Sequence, residues 1–350
     1  MKRTLVILAT LAFCVSASAA VDIAALRNYA KKALPSCPDA VVTVQPVLQP
    51  GPMNFLVHEV DIRSKDDSCN TRKYLLYSQA TQQVVLGTVF LVPEDGRPLN
   101  TRLAAQSSEL LKQPVSVTIS GFPLPDGLKS VAITKQTPVG PFSYHGFLDA
   151  SQRFMMVGMR GNLRTPPSTT LRELLNTANA ARRGNPMAKL EVIELSDFEC
   201  PTCARAHAKV DPLIEKHLSK INFGRLDLPL FEHHEWALPA ALGGRAIYKV
   251  APAKYWAYVD FMFRNQEQIS KTPFDKVLQD FCEDHDIPWA KVQPIYRSPA
   301  ERQAMFDQVS RAFDNNINAT PTFLINGEPT AYGPDGAFVI KAIKDALGIR

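Results

Sequence analysis

The chain has 350 residues, 45% of them hydrophobic and 21% charged, with a formal charge of +5. This is a globular composition, long enough for two or three domains and an ample core. The charge excess is too mild, and too poor in basic-aromatic clusters, for a nucleic-acid binder, and no apolar run is long enough to span a bilayer.

Residues 1–20 read as a secretory signal. Lys2 and Arg3 form the charged start, Leu5 to Val15 the apolar core, and Ala17-Ser18-Ala19 or Ser18-Ala19-Ala20 the small residues for cleavage. Lipoprotein processing at Cys14 is the rival, but bulky Phe13 stands where that signal wants a small residue. The mature protein is thus expected in the periplasm or secreted, with no stable membrane insertion. An oxidising compartment permits disulfides. Cys37 and Cys69 lie in one N-terminal region and are expected to staple it, Cys200 pairs with Cys203, and Cys282, on an amphipathic helix, reads as a buried inert thiol.

After the signal, Asp22 to Leu34 reads as a helix stopped by Pro35. Strands are expected at 40–48, 54–62, 73–78 and 83–92, then a helix at 103–111. Strands resume at 115–120, 130–134, 142–148 and 153–159. Thr170 and Glu173 fit a capping box opening a helix to about Arg182. Two stretches line up 71 residues apart: Tyr77 to Gly87 and Leu148 to Gly158 each read strand, polar turn, strand, glycine. These are either a repeat or two unrelated hairpins. The region therefore divides into an α+β unit at 21–112 and a second, possibly repeated, unit at 113–182. Gly184 and Pro186 mark 183–187 as a linker, and a third domain fills 188–350.

That domain opens with an apolar, β-branched strand, Leu190 to Leu195, followed by Cys200-Pro201-Thr202-Cys203 and a helix rich in Ala, Leu, Lys and Glu to His217. Pro212 is expected to kink or end that helix. A helix N-terminus favours negative charge, so the first sulfur should ionise readily, and two intervening residues let the pair close a small ring. A zinc half-site and an inert staple are the bland readings; the first lacks a second C-x-x-C. Downstream come a strand at 222–228, a helical block at about 236–316, a strand at 322–325, the turn Asn326-Gly327 and a closing helix at 337–347. His207 reads as a solvated helix face and His233-His234 as a polar loop, with no metal site.

Strand, C-x-x-C and helix, with Ala319-Thr320-Pro321-Thr322-Phe323 far downstream, resemble the DsbA-type thioredoxin superfamily of bacterial disulfide oxidoreductases. The resemblance implies Cys200 as nucleophile, Cys203 as resolving cysteine and Glu194 as the buried acid beneath them. It also implies Pro321 as the cis-proline facing the disulfide, with Thr320 before it offering main-chain hydrogen bonds to substrate. Pro201 and Thr202 would tune the redox potential; threonine carries no charge, so a moderate oxidant is expected. The helical block matches that family's insertion, which caps the site. The N-terminal unit also resembles the hairpin domain of DsbC- and DsbG-type isomerases, which dimerises its protein, although here the unit would occur twice.

The fold expected is therefore α/β: a thioredoxin-like fold with a large helical insertion, preceded by an α+β region of antiparallel strands and helices. The activity expected is thiol–disulfide exchange, oxidase or isomerase, on protein or peptide thiols and disulfides. A redox partner protein and a possible homodimer are expected, and no cofactor. A non-catalytic peptide-binding chaperone or assembly factor is the alternative.

Overall fold

The structure, a computed structural model, describes residues 21–47, 51–65, 67 and 69–349. The expected signal segment, 1–20, lies outside these residues. The chain opens with helix α1 (Ile23–Ala33), whose cap Asp22 accepts from the Ala25 N–H at 2.9 Å. Strands β1 (Val41–Pro46), β2 (Leu56–Arg63), β3 (Thr71–Tyr77) and β4 (Gln83–Leu91) follow. The same order then returns as α2 (Leu99–Leu111), β5 (Val115–Pro123), β6 (Lys129–Thr137), β7 (Gly140–Leu148) and β8 (Phe154–Asn162). Alternation selects the buried face: His58, Val60 and Ile62 of β2 point inward.

All eight strands make one antiparallel sheet, in the order β1-β2-β3-β4-β8-β7-β6-β5. The two hairpins that align 71 positions apart meet at its centre, where β4 pairs with β8 and Gly87 lies opposite Gly158. This register relates the two halves by a local two-fold axis. A Cβ on Gly87 would sit 2.6 Å from the Gly158 Cα and 2.0 Å from the Val157 carbonyl oxygen. The seam closes because neither residue has a side chain.

Helix α3 (Pro167–Leu174) leads to strands β9 (Ala181–Gly184) and β10 (Leu190–Ser196), helix α4 (Pro201–Lys216) and strand β11 (Ile221–Asp227). An insertion of helices follows: α5 (Ala237–Val250), α6 (Tyr255–Arg264), α7 (Gln266–Ile269), α8 (Phe274–Asp284), α9 (Trp289–Tyr296) and α10 (Pro299–Asp314). Strands β12 (Thr322–Ile325) and β13 (Glu328–Thr330) and helix α11 (Ala337–Leu347) close the chain. The second sheet runs β13-β12-β10-β11-β9, with β10 and β11 parallel across the α4 crossover and the remaining pairs antiparallel.

Two expectations are corrected here. The helix expected to reach Arg182 ends at Leu174, and Arg183 and Gly184, the first residues of the linker expected at 183–187, belong instead to edge strand β9, paired with β11. The arginines that look solvated in the sequence have partners in this domain. Arg182 Nη2 donates to Glu191 at 3.1 Å and Arg183 Nη2 to Asp211 at 2.6 Å.

The eight-stranded sheet is fastened to the second domain along a broad seam. Phe142 of β7 packs edge-on against Phe231, Phe306 and Phe313. His145 Nδ1 lies 2.8 Å from Asp314 Oδ2, and the Asn316 amide donates to the Leu86 carbonyl at 2.9 Å. Lys135 of β6, its side chain only 4% exposed, pairs with Glu232 at 2.5 Å.

Candidate active site

Cys200 occupies the N-cap position of α4, with extended backbone, and Pro201 is the first helical residue. A proline there has no N–H to waste. The helix runs through Pro212 to Lys216 without ending. Cys203, one turn in, is fully buried, whereas Cys200 is 7% exposed. Both thiols are free, while Cys37 and Cys69 form a disulfide.

The two sulfurs are pulled apart electrostatically. The Cys200 thiol is pushed down to about 5, first by the hydrogen bond from Cys203, then by Thr320 and the N–H groups of Cys203 and Thr202. The Cys203 thiol is pushed up, first by burial and then by its neighbour Cys200. The Cys200 sulfur lies 3.6 Å from the Thr320 carbonyl oxygen, and the Thr320–Pro321 bond is cis. Thr202 accepts from Arg205 at 2.8 Å.

Beneath the sulfurs, Glu194 of β10 is buried and stands opposite Arg225 of β11. Its carboxyl is pushed up to about 7, chiefly by burial and by nearby Asp211, with Arg225 opposing. One of its oxygens has no hydrogen-bond partner among the described residues. Arg225 lies over the Phe198 ring at 3.8 Å, is paired with Asp227 and donates to the Tyr255 hydroxyl at 3.2 Å.

Three further features hold the cysteine turn. The Asp197 N–H donates to the Cys203 sulfur at 3.5 Å, and its buried carboxylate accepts from the N–H groups of Glu199 and Leu230, both at 2.8 Å. His234 binds the same carboxylate at 2.7 Å. The Gln266 amide donates to the carbonyls of Phe198 and Cys200 at 2.7 and 3.1 Å. The sequence carries no signal for Gln266, which sits in the insertion. His207 is not on a solvated face. Its ring is held between Asp211 at 3.0 Å and Asp260 at 2.7 Å.

A groove of about 650 Å³ runs past Thr202, Thr320 and Pro321, and the N-terminal region contributes Cys69 and Asn70 from the turn before β3 and Thr71 and Lys73 from β3 itself. A second cavity of about 390 Å³ lies between the sheet and the loop at Leu230 to His233. Lys73, Asn316 and Asn318 line both.

Residues 176–345 match the family model described as Thioredoxin. This part of the chain is a thioredoxin-fold domain. A Na(+)/H(+) antiporter, NhaA 1, of Mycolicibacterium gilvum is 25% identical over 194 residues, which cover 53% of this chain and 30% of the antiporter. Disulfide bond formation protein D of Bacillus subtilis is 25% identical over 151 residues, or 41% of this chain and 66% of that protein. The structure of oxidised BdbD from Bacillus subtilis aligns with 20% identity and a TM-score of 0.40, over 48% of this chain and 91% of BdbD. The chain spans less than a third of the length of the antiporter relatives it matches. The thioredoxin match begins at 176 and leaves the eight-stranded sheet, with its expected likeness to the isomerase hairpin domain, outside it.

Proposed function

We propose that the chain is an exported thiol–disulfide oxidoreductase acting on protein or peptide substrates through Cys200 and Cys203. The observation that carries this reading is the split between the sulfurs: a low-pKa thiol at the start of α4 and a buried, high-pKa thiol one turn behind it.

In the reducing direction the Cys200 thiolate attacks a substrate disulfide, forming a mixed disulfide and releasing one substrate thiolate. Cys203 then gives its proton to the Glu194 carboxylate and attacks Cys200, which closes the Cys200–Cys203 bond and releases the second substrate thiolate. Oxidation of a dithiol runs the same steps backward. Thr320, beside the Cys200 sulfur, offers its main chain to an extended substrate. The low Cys200 pKa makes that thiolate a good leaving group, which favours oxidation of substrates. A separate redox partner protein would reset the pair.

Export rests on residues 1–20. Among the described residues no helix is long and apolar enough to cross a membrane. Pairing of β4 with β8 within one chain supports a monomer over the homodimer expected from the isomerase likeness; light scattering decides it. Insulin reduction with dithiothreitol tests the activity itself. Turnover that disappears in Cys200→Ser supports exchange, whereas equal rates in both proteins would reduce the groove to a binding cleft.

A further inference from the structure

The N-terminal sheet turns two lysines toward the thioredoxin-fold domain, and they are treated differently. Lys135 is nearly buried and matched by Glu232 at 2.5 Å. Lys73 has no ion pair or hydrogen-bond partner among the described residues, and burial alone lowers its pKa. In β3 it stands on the face that carries Leu75 and Tyr77, both buried in the core, at a position where alternation calls for an apolar residue. Its side chain lines both the groove beside Thr320 and the neighbouring cavity. Among the described residues, the groove beside Thr320 is lined by no other charged side chain. Glu232, which lines the second cavity with Lys73, is already taken by Lys135. A partly desolvated ammonium with no counter-charge is costly unless a ligand provides one.

We propose that Lys73 is a carboxylate-binding position in the substrate groove, so that the N-terminal sheet selects polypeptides carrying an acidic group near the cysteine that reacts at Cys200. This rests on the exchange reading of the Cys200 site and adds a substrate class to it. The carboxylate comes from an Asp or Glu side chain or from a chain terminus. Either forms a charge-assisted hydrogen bond with the half-buried ammonium.

The test uses the full chain and disulfide-linked fluorogenic peptides. One series is amidated and carries a single Asp about two to six residues from the cysteine, because an extended chain advances roughly 3.3 Å per residue. A second has a free C-terminus and no Asp, and a third replaces Asp with Asn. The readout is kcat/KM for each acidic peptide divided by that for the neutral one. The expected ratio is about tenfold at the best spacing, falling with added salt. It should approach one in Lys73→Gln and invert in Lys73→Glu when Lys replaces Asp in the peptide. The first two series distinguish a side chain from a terminus. A ratio near one at every spacing in the unaltered protein, or one that persists in Lys73→Gln, overturns the proposal while leaving the exchange reading standing. Failure to exchange with any peptide overturns the exchange reading itself. If either variant fails to fold, the salt dependence of the ratio in the unaltered protein decides alone.

Discussion

His234 Nδ1 lies 2.7 Å from Oδ2 of Asp197, a wholly buried carboxylate three residues ahead of Cys200. The contact ties the loop after β11 to the turn that presents the cysteines. Asp197 raises the His234 pKa by hydrogen bonding, against burial. A raised folded value stabilises the protein fully below the ordinary value, and that stability is lost as pH rises through the folded one. Asp197→Asn should therefore lower stability by about 1–3 kcal/mol. His234→Gln should flatten the fall in melting temperature as pH rises above the ordinary imidazole range. An unchanged pH profile in His234→Gln would remove the histidine from the account.

Cys200 should be the first thiol alkylated in the reduced protein. Its pKa of about 5 contrasts with about 11 for Cys282, where burial is the cause, and with the raised value of Cys203. The depressed folded value also means that the reduced form gains stability as pH rises from about 5 and loses it as pH falls through that value. The reduced protein should melt above the oxidised one at pH 7, with the gap closing toward pH 5. Mass mapping after brief iodoacetamide treatment checks the order of reaction; faster labelling of Cys203 or Cys282 reverses the assignment.

Glu194→Gln should slow resolution of the mixed disulfide by tenfold or more, roughly the lower range for loss of a general base, and should erase an inflection near 7, where the carboxyl titrates. Because that value is raised, the native carboxylate opposes folding at higher pH, so the variant should melt higher than the unaltered protein at pH 8. Single-turnover rates that stay equal across pH 6 to 9 would leave Glu194 a purely structural residue.

Gly87→Ala should cost about 1–3 kcal/mol or more, because the new methyl meets backbone rather than a side chain that can move aside. Urea unfolding measures the loss, and a neutral result would mean that the β4–β8 seam is looser than its register implies.

Much of this architecture is legible locally. The strands of the N-terminal region announce themselves by alternation, and the cysteine turn by a β-branched strand that precedes it. Glu194, Cys200 and Cys203 lie within ten residues of one another, so one short stretch names them. Strand β9 escapes notice because Ala181-Arg182-Arg183-Gly184 looks solvated until Glu191 and Asp211 are folded against it. Helix α9 is hidden by Pro288 and Pro294. Gln266, Arg225 and His234 reach the site only through the β10–β11 pairing and the packed insertion. Lys73 has no meaning before the sheet is laid beside the Thr320 loop.

The Gly87–Gly158 seam makes an axis of symmetry out of one polypeptide. Two subunits joined this way would part on dilution; two halves on one tether do not. In a pair of identical chains every mutation appears twice, once on each side of the axis. Here each side is free to vary alone, and the sides have done so: Lys73 lines the Thr320 groove, while its counterpart 71 positions on, Tyr144, stacks on Phe313. The doubled platform carries a single Cys200–Cys203 pair, so the proposed exchange would have one centre on a scaffold of nearly two-fold shape.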